Sequence, residues 1–182
     1  MIYVDIVSDT ICPWCYIGKR RFERALQISG RTDVALSWRP FQLNPDMPRE
    51  GMDRAEYMAM KFGSGRKADE IYRRVTEAGV AEGIDFRFDK IKRTPNTTDA
   101  HRLLLYAQGA KRQEAMLNRL FEGYFTEGAD IGDTETLITL AGDAESATRL
   151  GSSTPSIDSP SPRTIDLAAT GAYATWAANP SA

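Results

Sequence analysis

The chain is poor in the side chains that hold metals: among its 182 residues are two cysteines and one histidine. A tetrahedral zinc site needs four ligands and would here have to be completed by carboxylates, which argues against zinc. The cysteines, Cys12 and Cys15, stand so close that a structural bridge between them would close too small a loop to stabilise much. No apolar run approaches the length of a membrane span. Charge of either sign is nearly balanced, at a net −2 and a pI of about 5.5, so there is no nucleic-acid footprint. Met1 leads straight into a strand-like run containing Asp5, with no basic region and no cleavable apolar stretch. The expectation is a cytoplasmic protein with neither membrane nor nucleic acid among its partners. In that compartment a lone cysteine pair is catalytic or redox-sensing rather than structural. Composition is otherwise that of a globular chain, 42% hydrophobic and 26% charged, with length for one domain or a small domain carrying a large insertion.

What is present is Cys12-Pro13-Trp14-Cys15, directly after the apolar run Ile2-Tyr3-Val4-Asp5-Ile6-Val7. That run is short, β-branched and almost continuously apolar, so it reads as a buried strand. After the cysteines, Lys19 to Leu26 are strong helix formers with Phe22, Ala25 and Leu26 on one face. Pro13 suits the first helical position, where its missing N–H costs nothing. The reading is strand, tight turn, then a helix whose first turn carries both thiols. The Cys12 sulfur would meet unpaired N–H groups and the positive end of the helix dipole, which favours thiolate. Such motifs lower the first cysteine from roughly 8.5 to about 3.5–7.5. A thiolate there attacks a disulfide, and Cys15, about one turn on, resolves the mixed disulfide.

Gly30 is a natural stop for that helix, and Val34, Leu36 and Trp38 alternate on one face of a second strand ended by Pro40. A crossover of this length implies parallel pairing. From about Met52 to Ala141 the pattern is helical. Asp53 starts one helix, with Met52 able to staple against Tyr57. Residues 67–82 place Ile71, Val75 and Ala78 on one face and stop at Gly83. Residues 84–88 alternate but stand alone, so an extended linker is expected. Asn96 would cap a helix through Ala107. Residues 112–125 form the next, with Phe121, Tyr124 and Phe125 as core, and Asp133 caps a last one with Leu137, Ile138 and Ala141 inward. The tail, rich in Ala, Ser, Thr and Pro, shows no convincing strand, and residues 151–182 read as loop-like.

Asp9-Thr10-Ile11-Cys12-Pro13-Trp14-Cys15-Tyr16-Ile17-Gly18-Lys19 resembles the active site of DsbA-like thioredoxin-fold oxidoreductases, more narrowly the FrnE-type branch. That branch is related to hydroxychromene-carboxylate isomerases and kappa-class glutathione transferases. The stretches from Phe88 to Leu103 and from Leu120 to Asp133 are similar to it as well, so the resemblance covers about residues 1–142. It implies an α/β, thioredoxin-like fold with a large all-helical insertion. The divisions are residues 1–48 for the strand-helix-strand half, 49–142 for the inserted helices, and 143–182 for an atypical tail. The C-terminal half of the sheet is degenerate or missing in that tail.

The implied function is thiol–disulfide exchange, with Cys12 as nucleophile, Cys15 as resolving thiol and no metal or organic cofactor. Partners would be disulfide- or thiol-containing peptides or small thiols, with glutathione the candidate co-substrate. The rivals are a glutathione-dependent isomerase or transferase of the same fold, whose members generally carry Ser for the first cysteine, and an inactive truncated homologue. An exposed sheet edge would allow a monomer or a weak homodimer.

The remaining candidates each have a plainer reading. In the related families a cis-proline preceded by Val, Thr or Ile lies against the cysteines, and Thr154-Pro155 resembles that loop; alternatively Pro155 is a trans proline of a Ser/Pro-rich tail. Pro13 and Trp14 tune the redox poise, and Trp14 either touches substrate or packs. Asp9 and Thr10 satisfy local backbone. Lys19, Arg20, Arg21 and Arg24 read as a solvated basic face. Asn96 caps its helix or lines a groove between domains. His101 is expected to be a satisfied structural histidine rather than a general base.

Overall fold

The computed structural model describes residues 1–63 and 66–151. The chain opens with β1 (Ile2–Ser8), α1 (Pro13–Ser29) and β2 (Val34–Pro40). β1 and β2 pair in parallel, from Ile2 opposite Val34 to Ser8 opposite Pro40. The helix between them ends where expected: Gly30 sits at φ +62° and returns its N–H to the Gln27 carbonyl. Only a residue without Cβ takes that left-handed step at no steric cost.

The first strand is less buried than its composition suggests. Val4, Ile6 and Ser8 turn inward, while Tyr3 and Val7 remain 80% and 57% exposed. An apolar run is buried throughout only when both sheet faces are covered, and the described residues cover one.

The helices follow: α2 (Arg54–Phe62), α3 (Arg66–Val80), α4 (Thr98–Gly109), α5 (Gln113–Glu122) and α6 (Thr134–Gly151), with a π-helical turn (Gly123–Glu127) after α5. Two short strands that the sequence reading left out, β3 (Met52–Asp53) and β4 (Arg93–Thr94), pair antiparallel and tie the start of α2 to the loop before α4. Asp53 caps α2 through the N–H groups of Ala55 and Glu56, and Asp133 caps α6 through that of Thr136. Met52 and Tyr57 share a small apolar cluster with Met47 and Met58.

Three local readings need correction. The α4 cap position belongs to Thr97; Asn96 stands one residue earlier, accepting the Thr98 N–H and donating to the Met47 carbonyl. Ile138 is 57% exposed, because the buried stripe of α6 runs through Leu137, Leu140 and Ala144. Helix α6 also continues to Gly151, across the point where the sequence places the start of the tail.

One core joins both parts of the chain. Tyr16, beside Cys15, stacks on Phe121 at 4.9 Å between ring centroids and meets Phe86 edge-on at 6.1 Å. The linker from Ile84 stays out of any sheet, its Arg87 N–H bonding to the Phe125 carbonyl inside the π-helical turn. A π turn shifts the helical ladder and frees such a carbonyl. On the other side, Gln113 accepts the Trp38 N–H and donates to the Trp38 carbonyl, both at 2.9 Å. That amide stands in for a neighbouring strand and docks α5 on β2. Among the described residues no helix is long and apolar enough to cross a membrane.

Candidate active site

Cys12 is the N-cap of α1, with extended φ/ψ of −92° and 109°, and Pro13 follows in the first turn as expected. The turn before it closes through the Cys12 N–H to the Asp9 carbonyl at 3.1 Å. The Cys12 carbonyl in turn accepts from Cys15 and Tyr16. Both cysteines are free and half-buried, and no side chain caps the helix. The sulfur of Cys12 therefore stands where a capping oxygen usually would, beside orphan N–H groups.

The two thiols titrate as one unit. Cys15 is lowered to about 6, first because the Cys12 thiol hydrogen-bonds to it, with the Asp9 N–H assisting. Burial and the Asp9 charge act against this. Cys12 is pushed up, because it is the donor of that shared bond and because it is partly buried, while the N–H groups of Cys15 and Trp14 pull the other way. The lowered ionisation thus belongs to the pair rather than to either sulfur alone.

Trp14, between the two cysteines in the chain, is 51% exposed, which favours its substrate-facing reading over packing. Phe41 and Leu43, on the exit from β2, are also exposed apolar side chains. They are anchored to the same turn: the Phe41 N–H donates to the Ser8 carbonyl, and the Leu43 N–H donates to Asp9 Oδ2 at 2.7 Å.

His101 meets this turn from α4. Its Nε2 lies 3.1 Å from Asp9 Oδ1 and 2.9 Å from the Phe41 carbonyl, with both side chains essentially sealed from solvent. Since both oxygens only accept, Nε2 carries the proton. His101 is buried as expected but only half satisfied: its Nε2 partner Asp9 is 92 residues away, and Nδ1 is buried with no hydrogen-bond partner among the described residues. The Asp9 side chain likewise bonds across the fold rather than to its own neighbours, and the buried Thr10 hydroxyl has no hydrogen-bond partner among the described residues. The signal available in sequence was only an acidic residue before the cysteines and a single histidine in the first turn of a helix.

The basic run divides. Lys19 is buried, bonded to Glu23 and 3.7 Å from Glu114 of α5, while Arg21 and Arg24 reach Glu82 after α3. A helix face that docks on neighbours cannot be wholly solvated, and the lysine on it is held by carboxylates. Asn96 lines an open cleft of about 220 Å³ with Arg49, Thr98, Asp99, Arg102 and Gly132. Thr154 and Pro155 lie outside the described residues. Among the described residues no three His, Cys, Asp or Glu side chains converge to hold a metal.

The probable DsbA oxidoreductase SCO1869 from Streptomyces coelicolor matches with a TM-score of 0.72 and 31% identity, over 84% of this chain and 68% of that one. The cytosolic disulfide reductase DsbM from Pseudomonas aeruginosa shares the fold, with a TM-score of 0.54 at 17% identity over 84% of this chain and 73% of that one. YwbO of Bacillus subtilis (strain 168) is 26% identical over 140 residues, 77% of this chain and 64% of that protein. This chain therefore spans a little under two thirds of that relative's length. Residues 3–153 match the DSBA-like thioredoxin domain, and the chain belongs to that family.

Proposed function

We propose that the chain is a thiol–disulfide oxidoreductase working through Cys12 and Cys15. What supports this reading is the placement of two free, half-buried sulfurs at the start of α1, Cys12 at its N-cap, with one ionisation of the pair lowered to about 6. A dithiol so poised holds a thiolate at neutral pH without a separate base.

The exchange is written in two displacements. Transfer of the pair's remaining proton to Cys15 leaves the thiolate on Cys12, which attacks one sulfur of a substrate disulfide. The substrate S–S bond breaks, a mixed disulfide forms, and the first substrate sulfur leaves as thiolate and is protonated. Cys15 then attacks the Cys12 sulfur, closes the Cys12–Cys15 disulfide and expels the second substrate thiol. Two electrons pass from the pair to the substrate, together with the one proton that Cys15 gives up as it attacks and one proton taken from solvent; run backwards, the same steps oxidise a dithiol substrate. Peptide disulfides and small thiols are the substrate class, with Trp14, Phe41 and Leu43 offering apolar contact beside the sulfurs. Glutathione is the small thiol proposed to reset the pair.

The test is equilibration in glutathione buffers followed by mass spectrometry. A reversible two-electron transition is expected, with glutathione trapped on Cys12 in the Cys15→Ala variant and insulin reduction lost in Cys12→Ser. Absence of a reversible transition, or insulin reduction surviving in Cys12→Ser, overturns the reading.

A further inference from the structure

We propose that His101 is a positioning residue for the dithiol, acting through the Asp9 carboxylate. The inference rests on the dithiol reading above and adds a residue from the helical part of the chain to it.

Asp9 is joined to the sulfurs and to His101 at once. Its carbonyl accepts the Cys12 N–H, so its backbone shapes the turn that presents the nucleophile. Its carboxylate has two donors, the Leu43 N–H at 2.7 Å and His101 Nε2 at 3.1 Å. Water does not replace either donor, because the Asp9 and His101 side chains are 1% and 0% exposed. The carboxylate charge opposes a thiolate at Cys15. A buried charge acts on its neighbours according to how fully its own hydrogen bonds satisfy it. The imidazole N–H, shared with the Phe41 carbonyl, therefore both pins the turn and moderates the repulsion felt by the sulfurs.

The signs follow. Removing the His101 donor leaves the carboxylate less satisfied and makes the pair harder to ionise. Removing the charge by Asp9→Asn makes it easier. If His101 acts through Asp9, its effect disappears once that charge is gone.

The experiment follows iodoacetamide alkylation against pH for the wild type, His101→Asn, His101→Gln, Asp9→Asn and the double variant, with thermal melts on each. Gln can carry an amide donor to about the place of Nε2; Asn falls short. Expected are alkylation about threefold slower near the midpoint in H101N, a near wild-type profile in H101Q, faster alkylation in D9N, and a double variant matching D9N. A folded H101N with an unchanged profile overturns the proposal, as does an H101N effect that persists beside D9N.

A second measurement needs no variant. The ring-nitrogen NMR signals belong unambiguously to the one histidine. They should show a step at the thiol midpoint in the reduced protein that is absent from the disulfide form; identical titrations of the two forms overturn the proposal. Exchange activity with a thiol profile indifferent to His101 defeats this inference alone. A profile that responds to His101 without any disulfide exchange defeats the functional reading alone.

Discussion

The ring of Tyr16 lies almost parallel to that of Phe121, at 13° between planes, and so fastens the helix that carries both thiols to the helical core. Tyr16 is 2% exposed and Phe121 fully buried. The residue after Cys15 thus belongs to the packing of the fold, although its backbone belongs to the active-site turn.

Truncating that contact should loosen the whole junction. Tyr16→Ala is expected to cost about 3–5 kcal/mol, the range for emptying a buried aromatic site. Tyr16→Phe should cost under about 1 kcal/mol, since the hydroxyl's partner, Arg20 Nη2, is at a long 3.4 Å. Urea unfolding of the reduced protein checks both; equal losses would mean the ring is not the anchor.

Gln113 offers a second test at the opposite side of the sheet. Gln113→Leu leaves the Trp38 N–H and carbonyl without their side-chain partner in a buried place. A loss of about 2–4 kcal/mol is expected, from two unsatisfied backbone groups. Gln113→Glu keeps an acceptor for the N–H but faces the Trp38 carbonyl with a second acceptor, so it should not rescue. Chemical denaturation midpoints read the difference.

The thiol pair predicts a pH dependence whose sign can be worked out. Cys15 falls from 9.0 in an unfolded chain to about 6 in the fold. Between those values the unfolded state binds more protons, so the reduced protein gains stability as pH rises through that window. Above about 9 the raised Cys12 reverses the slope, because it keeps a proton that the unfolded chain releases. Denaturation of the reduced protein from pH 5.5 to 10 should therefore pass through a maximum near pH 9 relative to a Cys12→Ser/Cys15→Ser control, roughly where the pair's two slopes change sign. In the same picture the reduction potential falls by about 59 mV per pH step below the first ionisation and by about 30 mV above it. A single slope of about 59 mV per pH step from pH 4.5 to 8 would rule out the lowered ionisation of the pair.

Lys19 separates burial from redox tuning. Glu23→Ala should destabilise by up to about 3–5 kcal/mol, because it strips a buried ammonium of its nearest carboxylate. Lys19→Met should be much milder, as apolar replacements of buried charges often are. Neither change should move the alkylation profile of the cysteines, since the ammonium is engaged by Glu23 and Glu114. A shifted profile in Lys19→Met would mean that the basic run contributes to thiolate stability.

Which parts of this were legible in the chain follows from the reach of the forces involved. The cysteine pair at a helix start, Pro13 in the first turn, the Gly30 stop and the Asp53 and Asp133 caps all depend on partners within about four residues, and spacing alone determined them. Helical periodicity likewise placed Phe121, Tyr124 and Phe125 in the core. Periodicity does not say how wide the covered face is, so Ile138 was assigned inward and β1 was assigned full burial. The Asp9–His101 link, the Gln113 clamp on Trp38 and the burial of Lys19 were decided only by tertiary structure. Each joins groups 75 to 95 residues apart, and their side chains carry the same local propensities whether paired or exposed. The thiols were written into residues 12–15 of the sequence; the environment that sets their ionisation was assembled by the fold.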